Sequence, residues 1–140
     1  MQKHHRGFMY SQITNNIAVT VTPTYLDAQS SPEQNHYVWG YQVRITNKSN
    51  TPIKLKKRFW QITDSTGKTK SITGVGVVGE QPCIYPGDSF EYVSGAPLTT
   101  PSGFMVGKYE VETIINREKF YVEIPIFSLD SPHDYQTQLH

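Results

Sequence analysis

The segment Gly74-Val75-Gly76-Val77-Val78-Gly79-Glu80-Gln81-Pro82 carries a GxGxxG spacing, the pattern in this chain whose residue types and intervals most nearly suit phosphate binding. In a dinucleotide-binding unit such glycines close a strand-to-helix turn, and the helix N-terminus holds the pyrophosphate with its unpaired N–H groups. Here Glu80-Gln81-Pro82 runs into Cys83-Ile84-Tyr85-Pro86-Gly87-Asp88, where the prolines and the Pro-Gly turn leave no room for an amphipathic helix. The remaining chemistry is a cradle of backbone N–H groups at Gly74, Gly76 and Gly79, with Lys56, Lys57 or Arg58 supplying positive charge. The same glycines would equally permit a bulge or the close approach of an aromatic such as Trp60. The missing helix favours that structural role.

Other chemistry is sparse. Ile53 to Trp60 mixes cations with aromatics, as single-strand nucleic-acid binders do. Yet 13 basic and 12 acidic residues give a formal charge of +1, so no strong field steers nucleic acid toward the chain, and none is expected as a partner. His4, His5, His36, His133 and His140 are scattered, and no Cys/His/Asp/Glu group has metal-ligand spacing, so no metal and no cofactor are expected. Cys83 is the only cysteine; it excludes an intrachain disulfide, fits a reducing compartment and is expected to fill the core. No G-x-S-x-G elbow occurs, and Glu80 lacks a base or nucleophile beside it, so no catalytic residue is assigned. Lys3 and Arg6 precede Gly7-Phe8-Met9-Tyr10-Ser11-Gln12 rather than an apolar run of signal-peptide or membrane-spanning length. The expectation is a cytoplasmic protein without a membrane partner.

The elements that must position these residues are strands. Eleven Val and eleven Ile against three Ala, beside 14 Thr and 17 aromatics, favour β-structure, and no run of ten residues keeps a helical period. A chain of 140 residues suits one domain. Residues 1–15 are polar and lack periodicity, which predicts a loosely held arm; the domain proper spans 16–130, and 131–140 form a tail. Ile17, Val19 and Val21 share a face. Tyr37, Trp39, Tyr41, Val43 and Ile45 do so more clearly, and this odd-numbered face should pack inside.

Further along, Ile53 and Leu55 are out of phase with Trp60 and Ile62, which implies a β-bulge near Lys56-Lys57. Asp64-Ser65-Thr66-Gly67 suits a type I turn, and closing it at Asp64 and Gly67 sets Lys57 opposite Gly74 and Lys56 opposite Val75. Phe90, Tyr92 and Ser94 share a face, Gly95 to Gly103 reads as a long crossing loop, and runs from Phe104 to Ile115 and from Phe120 to Ile124 follow. About seven short strands with tight and crossing connections describe an all-β, two-sheet antiparallel sandwich. In such a sandwich Tyr109 would make a tyrosine corner, its hydroxyl bonded to backbone of the 95–103 loop.

These residues also resemble a known family. Pro23-Thr24-Tyr25-Leu26, Arg58-Phe59-Trp60-Gln61-Ile62-Thr63-Asp64, the glycine segment, Gly103 to Tyr109 and Ile124-Pro125-Ile126-Phe127 together are similar to the bacterial ApaG family, over about Ile17 to Leu129. The resemblance implies a fibronectin type III-like, immunoglobulin-like sandwich. It also implies a protein-recognition role, since related domains are attached to eukaryotic F-box adaptors and a polymerase-delta-interacting protein. Bacterial members are associated with cobalt and magnesium homeostasis, and their gene often neighbours that of a diadenosine-tetraphosphate hydrolase.

The functional expectation is therefore a non-catalytic binding module for a protein partner, with a phosphate or dinucleoside polyphosphate sensor as the alternative. Lys57, Arg58, Trp60, Gly74, Gly76, Gly79, Glu80 and Gln81 are the candidate ligand-binding residues. Recognition would use exposed aromatics such as Trp60 or Phe127, or an edge strand that accepts a partner strand.

Overall fold

In the computed structural model, which describes residues 4–6 and 8–134, alternating apolar residues form ten strands. They are β1 (His4–Arg6), β2 (Tyr10–Thr14), β3 (Ile17–Leu26), β4 (Tyr37–Asn47) and β5 (Ile53–Asp64), then β6 (Thr69–Val75), β7 (Cys83–Ile84), β8 (Ser89–Leu98), β9 (Ser102–Thr113) and β10 (Lys119–Asp130). The only helical elements among the described residues are two three-residue 3₁₀ turns, Asp27–Gln29 and Pro32–Gln34. One sheet runs β3, β4, β8, with β1 and β2 both on the far side of β3; the other runs β10, β9, β5, with β6 and β7 both on the far side of β5. All pairs are antiparallel, and the two sheets pack face to face as the alternation predicts. The seven expected strands are β3, β4, β5, β6, β8, β9 and β10. The three short extra strands carry too few apolar positions for periodicity to show them.

The core lies between the sheets. Tyr37, Trp39, Tyr41, Val43 and Ile45 of β4 are all buried, and Tyr41, Trp60 and Phe127 meet with ring centroids 5.4–5.9 Å apart. Buried Asn47 ends β4. Its Nδ2 donates to the carbonyls of Thr51 (2.8 Å) and Ile84 (2.9 Å), while Oδ1 accepts from the Ser49 N–H (2.9 Å) and hydroxyl (2.6 Å). One amide thus ties the β4–β5 turn to β7 and leaves no polar atom unmet.

Three expectations require correction. Residues 10–14 of the expected arm form β2, paired with β3 from Tyr10–Val21 to Thr14–Ile17. Asn15 and Asn16 close this hairpin at φ 48° and 64°, the left-handed pair that a two-residue type I′ turn demands. β2 is too exposed for its apolar pattern to reveal it; the Asn-Asn pair is the usable signal. Residues 4–6 of the expected arm likewise form β1, paired with β3 from His4–Leu26 to Arg6–Thr24, while residues 1–3 and 7 of the arm and 135–140 of the expected tail lie outside the described residues. The crossing loop expected from Gly95 to Gly103 is instead strand at both ends, with only residues 99–101 carrying the chain from one sheet to the other.

Tyr109 makes no tyrosine corner. Its hydroxyl pairs with the Tyr92 hydroxyl inside the core, because β9 and β8 face each other across the sandwich there. Burial holds the hydroxyls of Tyr41, Tyr92 and Tyr109 above the ordinary value of 10.0, with the Arg58 charge pulling weakly the other way. The unfolded chain ionises first as pH rises, so stability is complete below about pH 10 and falls above it until the folded-state hydroxyls ionise in turn. Tyr109→Phe should make that decline shallower in alkaline denaturant melts. At neutral pH it should cost roughly 1–3 kcal/mol, because the Tyr92 hydroxyl is left buried and unpaired. Adding Tyr92→Phe should cost less than the sum of the two single changes.

Candidate functional site

The expected bulge is present and organises the candidate residues. Leu55 stands opposite Val111 and Lys57 opposite Glu110, so Lys56 is the extra residue of β5. The half-turn it introduces lets Ile53 and Leu55 on one side, and Trp60 and Ile62 on the other, all face the core. The Lys56 carbonyl accepts the Gly76 N–H at 2.7 Å and Gln81 Nε2 at 3.1 Å, and the Pro82 carbonyl accepts the Leu55 N–H at 3.0 Å. Gln81 is therefore a clamp on the bulge.

The β5–β6 hairpin is one residue out of the expected register. Gly67, at φ 90°, donates to the Asp64 carbonyl, and Asp64 donates to the Lys68 carbonyl, so the loop is a type I turn followed by a left-handed glycine. That extra residue sets Arg58 opposite Gly74 and Lys57 opposite Val75. Asp64 Oδ1 accepts from the Thr66 hydroxyl (2.6 Å) and from the N–H groups of Thr66 (2.9 Å) and Lys68 (3.1 Å). These bonds, the Thr66 hydroxyl first, hold its carboxyl below the usual range.

The glycine segment builds a plug. A Cβ at Gly74 would stand 2.5 Å from Arg58 Cζ, so the glycine makes room for the guanidinium, whose NH1 donates to the Gly76 carbonyl at 2.8 Å. Gly76 has φ 62°, and a Cβ there would fall 1.9 Å from the Glu80 carbonyl oxygen. Val77 and Glu80 then exchange both backbone bonds (2.8 and 2.9 Å) around a two-residue type I′ turn with Val78 at φ 42° and Gly79 at φ 80°. The consequence is Val77, which is wholly buried and closes one end of the core. The N–H groups of Val77 and Glu80 are spent inside this turn, and that of Gly76 on the Lys56 carbonyl, rather than offered to an anion.

The candidate residues accordingly separate. Arg58, Gly74, Gly76, Glu80 and Gln81 meet around the plug, Gly79 sits at its tip, and Lys57 projects from the opposite sheet face. Trp60 is 3% exposed and Phe127 is 0% exposed, so neither is a surface anchor; both complete the core. Cys83, expected inside, is exposed. Among the described residues no three His, Cys, Asp or Glu side chains are grouped so as to hold a metal ion.

A different feature lies beside the plug. β6 ends its sheet, and Lys70, Ile72 and Gly74 follow the inner face beyond the cover of β8. Between β6 and the end of β8 runs a cleft of about 360 Å3, with Ile62, Pro97 and Leu98 on its walls and Lys68 and Lys70 at its rim. Sequence reasoning missed Lys68 and Lys70. The available signal was the crowding of charge in one hairpin: residues 53–75 hold six of the 13 basic residues and one of the 12 acidic ones.

Two other sheet edges, those of β10 and β8, are blunted. The outer edge of β10 gives its Glu123 N–H to Thr14 Oγ1 (3.2 Å) and its Ser128 N–H to the Tyr10 hydroxyl (3.4 Å), while β8 carries Pro97, which has no N–H. In β6 the Asp64–Lys68 and Lys56–Gly76 bonds fix which residues face β5. By the alternation of an antiparallel ladder, Lys70, Ile72 and Gly74 bond toward β5, and Thr69, Ser71, Thr73 and Val75 turn their N–H and C=O groups outward.

Comparison with known proteins gives consistent matches. The family described as ApaG domain matches residues 27–113. The chain is 56% identical to Protein ApaG of Paramagnetospirillum magneticum over 126 residues, which cover 90% of this chain and 96% of that protein. It is 57% identical to Protein ApaG of Agrobacterium fabrum over 124 residues, covering 89% and 95%. The crystal structure of the Bordetella pertussis protein called ApaA superposes with a TM-score of 0.80 at 44% identity, covering 84% of this chain and 94% of that one. The C-terminal domain of wzt shares the fold alone, at a TM-score of 0.52 and 9% identity.

If the glycines serve the backbone, their substitutions should rank by local geometry. Gly76→Ala should be the most damaging, at about 2 kcal/mol or more, because strain and collision add. Gly79→Ala, whose Cβ would meet nothing within 4 Å, should cost about 1 kcal/mol from φ alone. Val78→Asn replaces a β-branched residue at positive φ with the Asn-Gly pair that type I′ turns prefer, and should raise the thermal midpoint. Thermal and denaturant melts of the three variants check the order.

Proposed function

The chain belongs to the ApaG domain family, and from that premise we propose that it is a non-catalytic protein-recognition module that takes an extended segment of its partner as an added strand along β6. The supporting observation is β6 itself. It is seven residues without proline, paired on one side only, and exposed along almost its whole length. Strand addition needs a row of backbone groups for affinity and alternate side-chain contacts for specificity. Thr69, Ser71, Thr73 and the Val75 N–H offer the first, the Val75 carbonyl already accepting from Arg58 NH1 at 3.4 Å, and the adjoining cleft offers the second.

Burial of Trp60 and Phe127 removes the aromatic-anchor version of this function and leaves the edge-strand version. A phosphate or dinucleoside polyphosphate sensor at Gly74–Gly79 has less support, because Gly74 pairs with β5, the Gly76 N–H bonds to the Lys56 carbonyl, and of the three cradle glycines that leaves Gly79 alone. In this proposal, any effect on cobalt or magnesium homeostasis passes through a protein contact rather than a bound ion. A cytoplasmic location is part of the same proposal, supported by the lone exposed thiol of Cys83. No helix among the described residues is long and apolar enough to cross a membrane.

Selection of extended peptides by display, followed by titration into isotope-labelled protein, tests the site. Bound peptides should shift the amides of Thr69, Ser71, Thr73 and Val75. Ser71→Pro, which deletes an outward N–H and leaves the β5 ladder intact, should abolish that binding without lowering the thermal midpoint by more than a few degrees. Ser71→Ala should bind normally. Shifts confined to residues 76–79, or binding indifferent to Ser71→Pro, would count against strand addition.

A further inference from the structure

We propose that the strand accepted by β6 is acidic: an extended segment of a protein partner bearing two carboxylates four residues apart, with an apolar residue midway between them. The proposal rests on the strand-addition function above and adds the chemistry of the partner. Its basis is a charge asymmetry that the net charge of +1 conceals. Lys54, Lys56, Lys57, Arg58, Lys68 and Lys70 all belong to the β5–β6 hairpin, whose only acid is Asp64. That carboxylate is already engaged by Thr66 and the Lys68 N–H. The Arg44–Glu91 ion pair and the His133–Asp27 contact involve none of the six cations; Lys54 and Lys57 stand opposite Glu112 and Glu110 of β9, which leaves Arg58, Lys68 and Lys70 to the cleft side.

The positions matter as much as the count. On the cleft face of β6, Lys70 and Gly74 are four residues apart, and the Arg58 guanidinium lies on Gly74. At the rise of a strand that separates the two cations by about 13 Å, too far for one phosphate to bridge and equal to positions i and i+4 of an added strand. Ile72 lies midway and is 43% exposed. The face that a partner strand meets is therefore cation, apolar, cation, and its complement is acid, apolar, acid. Lys70 has a second consequence, since two β6 edges from two copies would set like charges together. The edge thus disfavours its own kind and favours an acidic strand.

A seven-residue peptide with the pattern Glu-x-Val-x-Glu, the x positions being Thr, is the probe; Lys-x-Val-x-Lys and a version with adjacent glutamates are its controls. Affinity is read by amide shifts at two salt concentrations. The acidic peptide should bind at Thr69 to Val75, weaken as salt rises because exposed charges are screened, and lose binding by about tenfold or more in Lys68→Glu/Lys70→Glu. The same variant, at an unchanged thermal midpoint, should gain affinity for the lysine peptide. Adjacent glutamates should bind more weakly than spaced ones.

Equal binding of acidic and basic peptides, both lost in Ser71→Pro, would overturn the charge assignment while strand addition stands. Salt-sensitive binding of the acidic peptide that ignores Ser71→Pro would overturn strand addition, and this proposal with it. Binding of ATP or tripolyphosphate through the same lysines, with no peptide binding, would overturn both in favour of an anion site.

Discussion

A single extra residue in a strand governs much of this molecule. Without the bulge at Lys56, the residues before it and after it on β5 could not both face the core, because side chains alternate with a period of two. With it, Ile53, Leu55, Trp60 and Ile62 are all interior. A bulge leaves a carbonyl outside the regular ladder, and here Gly76 and Gln81 supply its hydrogen bonds. The glycine segment is therefore shaped by the strand beside it. Its left-handed glycine, its reversed turn and the buried Val77 follow from the need to satisfy that carbonyl and then cap the core.

Two polar clusters inside the sandwich obey the same requirement, whereas Trp39 Nε1 is buried without a partner among the described residues. The Tyr92 and Tyr109 hydroxyls pair with each other, and Asn47 spends both ends of its amide on four partners. Buried groups of this kind add little net stability but are costly to orphan, so they specify how the sheets register. The Arg58 guanidinium closes the side of the core where the tyrosines cluster, and it does so by bonding to a carbonyl of the plug. One cation thereby serves packing while keeping its charge near the open edge.

That edge is where surface and architecture meet. A sandwich has four outer edges, and this chain covers one with β2 side chains and interrupts another with proline, while β6 stays regular beside a cleft. Net charge gives no hint of it, since acidic residues elsewhere balance the cations gathered in one hairpin. Recognition depends on that local distribution, because charges further apart than about a Debye length are screened from one another.

The sequence by itself determined the sheet architecture. Alternation in β3, β4, β9 and β10 names the inward faces, and the phase slip between Leu55 and Trp60 places the bulge, because both are local consequences of a period-two backbone. Local signals also sufficed for the Asp64 turn, apart from one residue of register hidden in the left-handed Gly67. What only the tertiary structure decided is which groups meet across the sandwich. The partner of the Tyr109 hydroxyl, the burial of Trp60 and Phe127, the collision that makes Gly76 obligatory and the open side of β6 all depend on distant segments arriving together. A sequence pattern records which face a side chain points to; it does not record what stands opposite, because that is set by how two sheets pack.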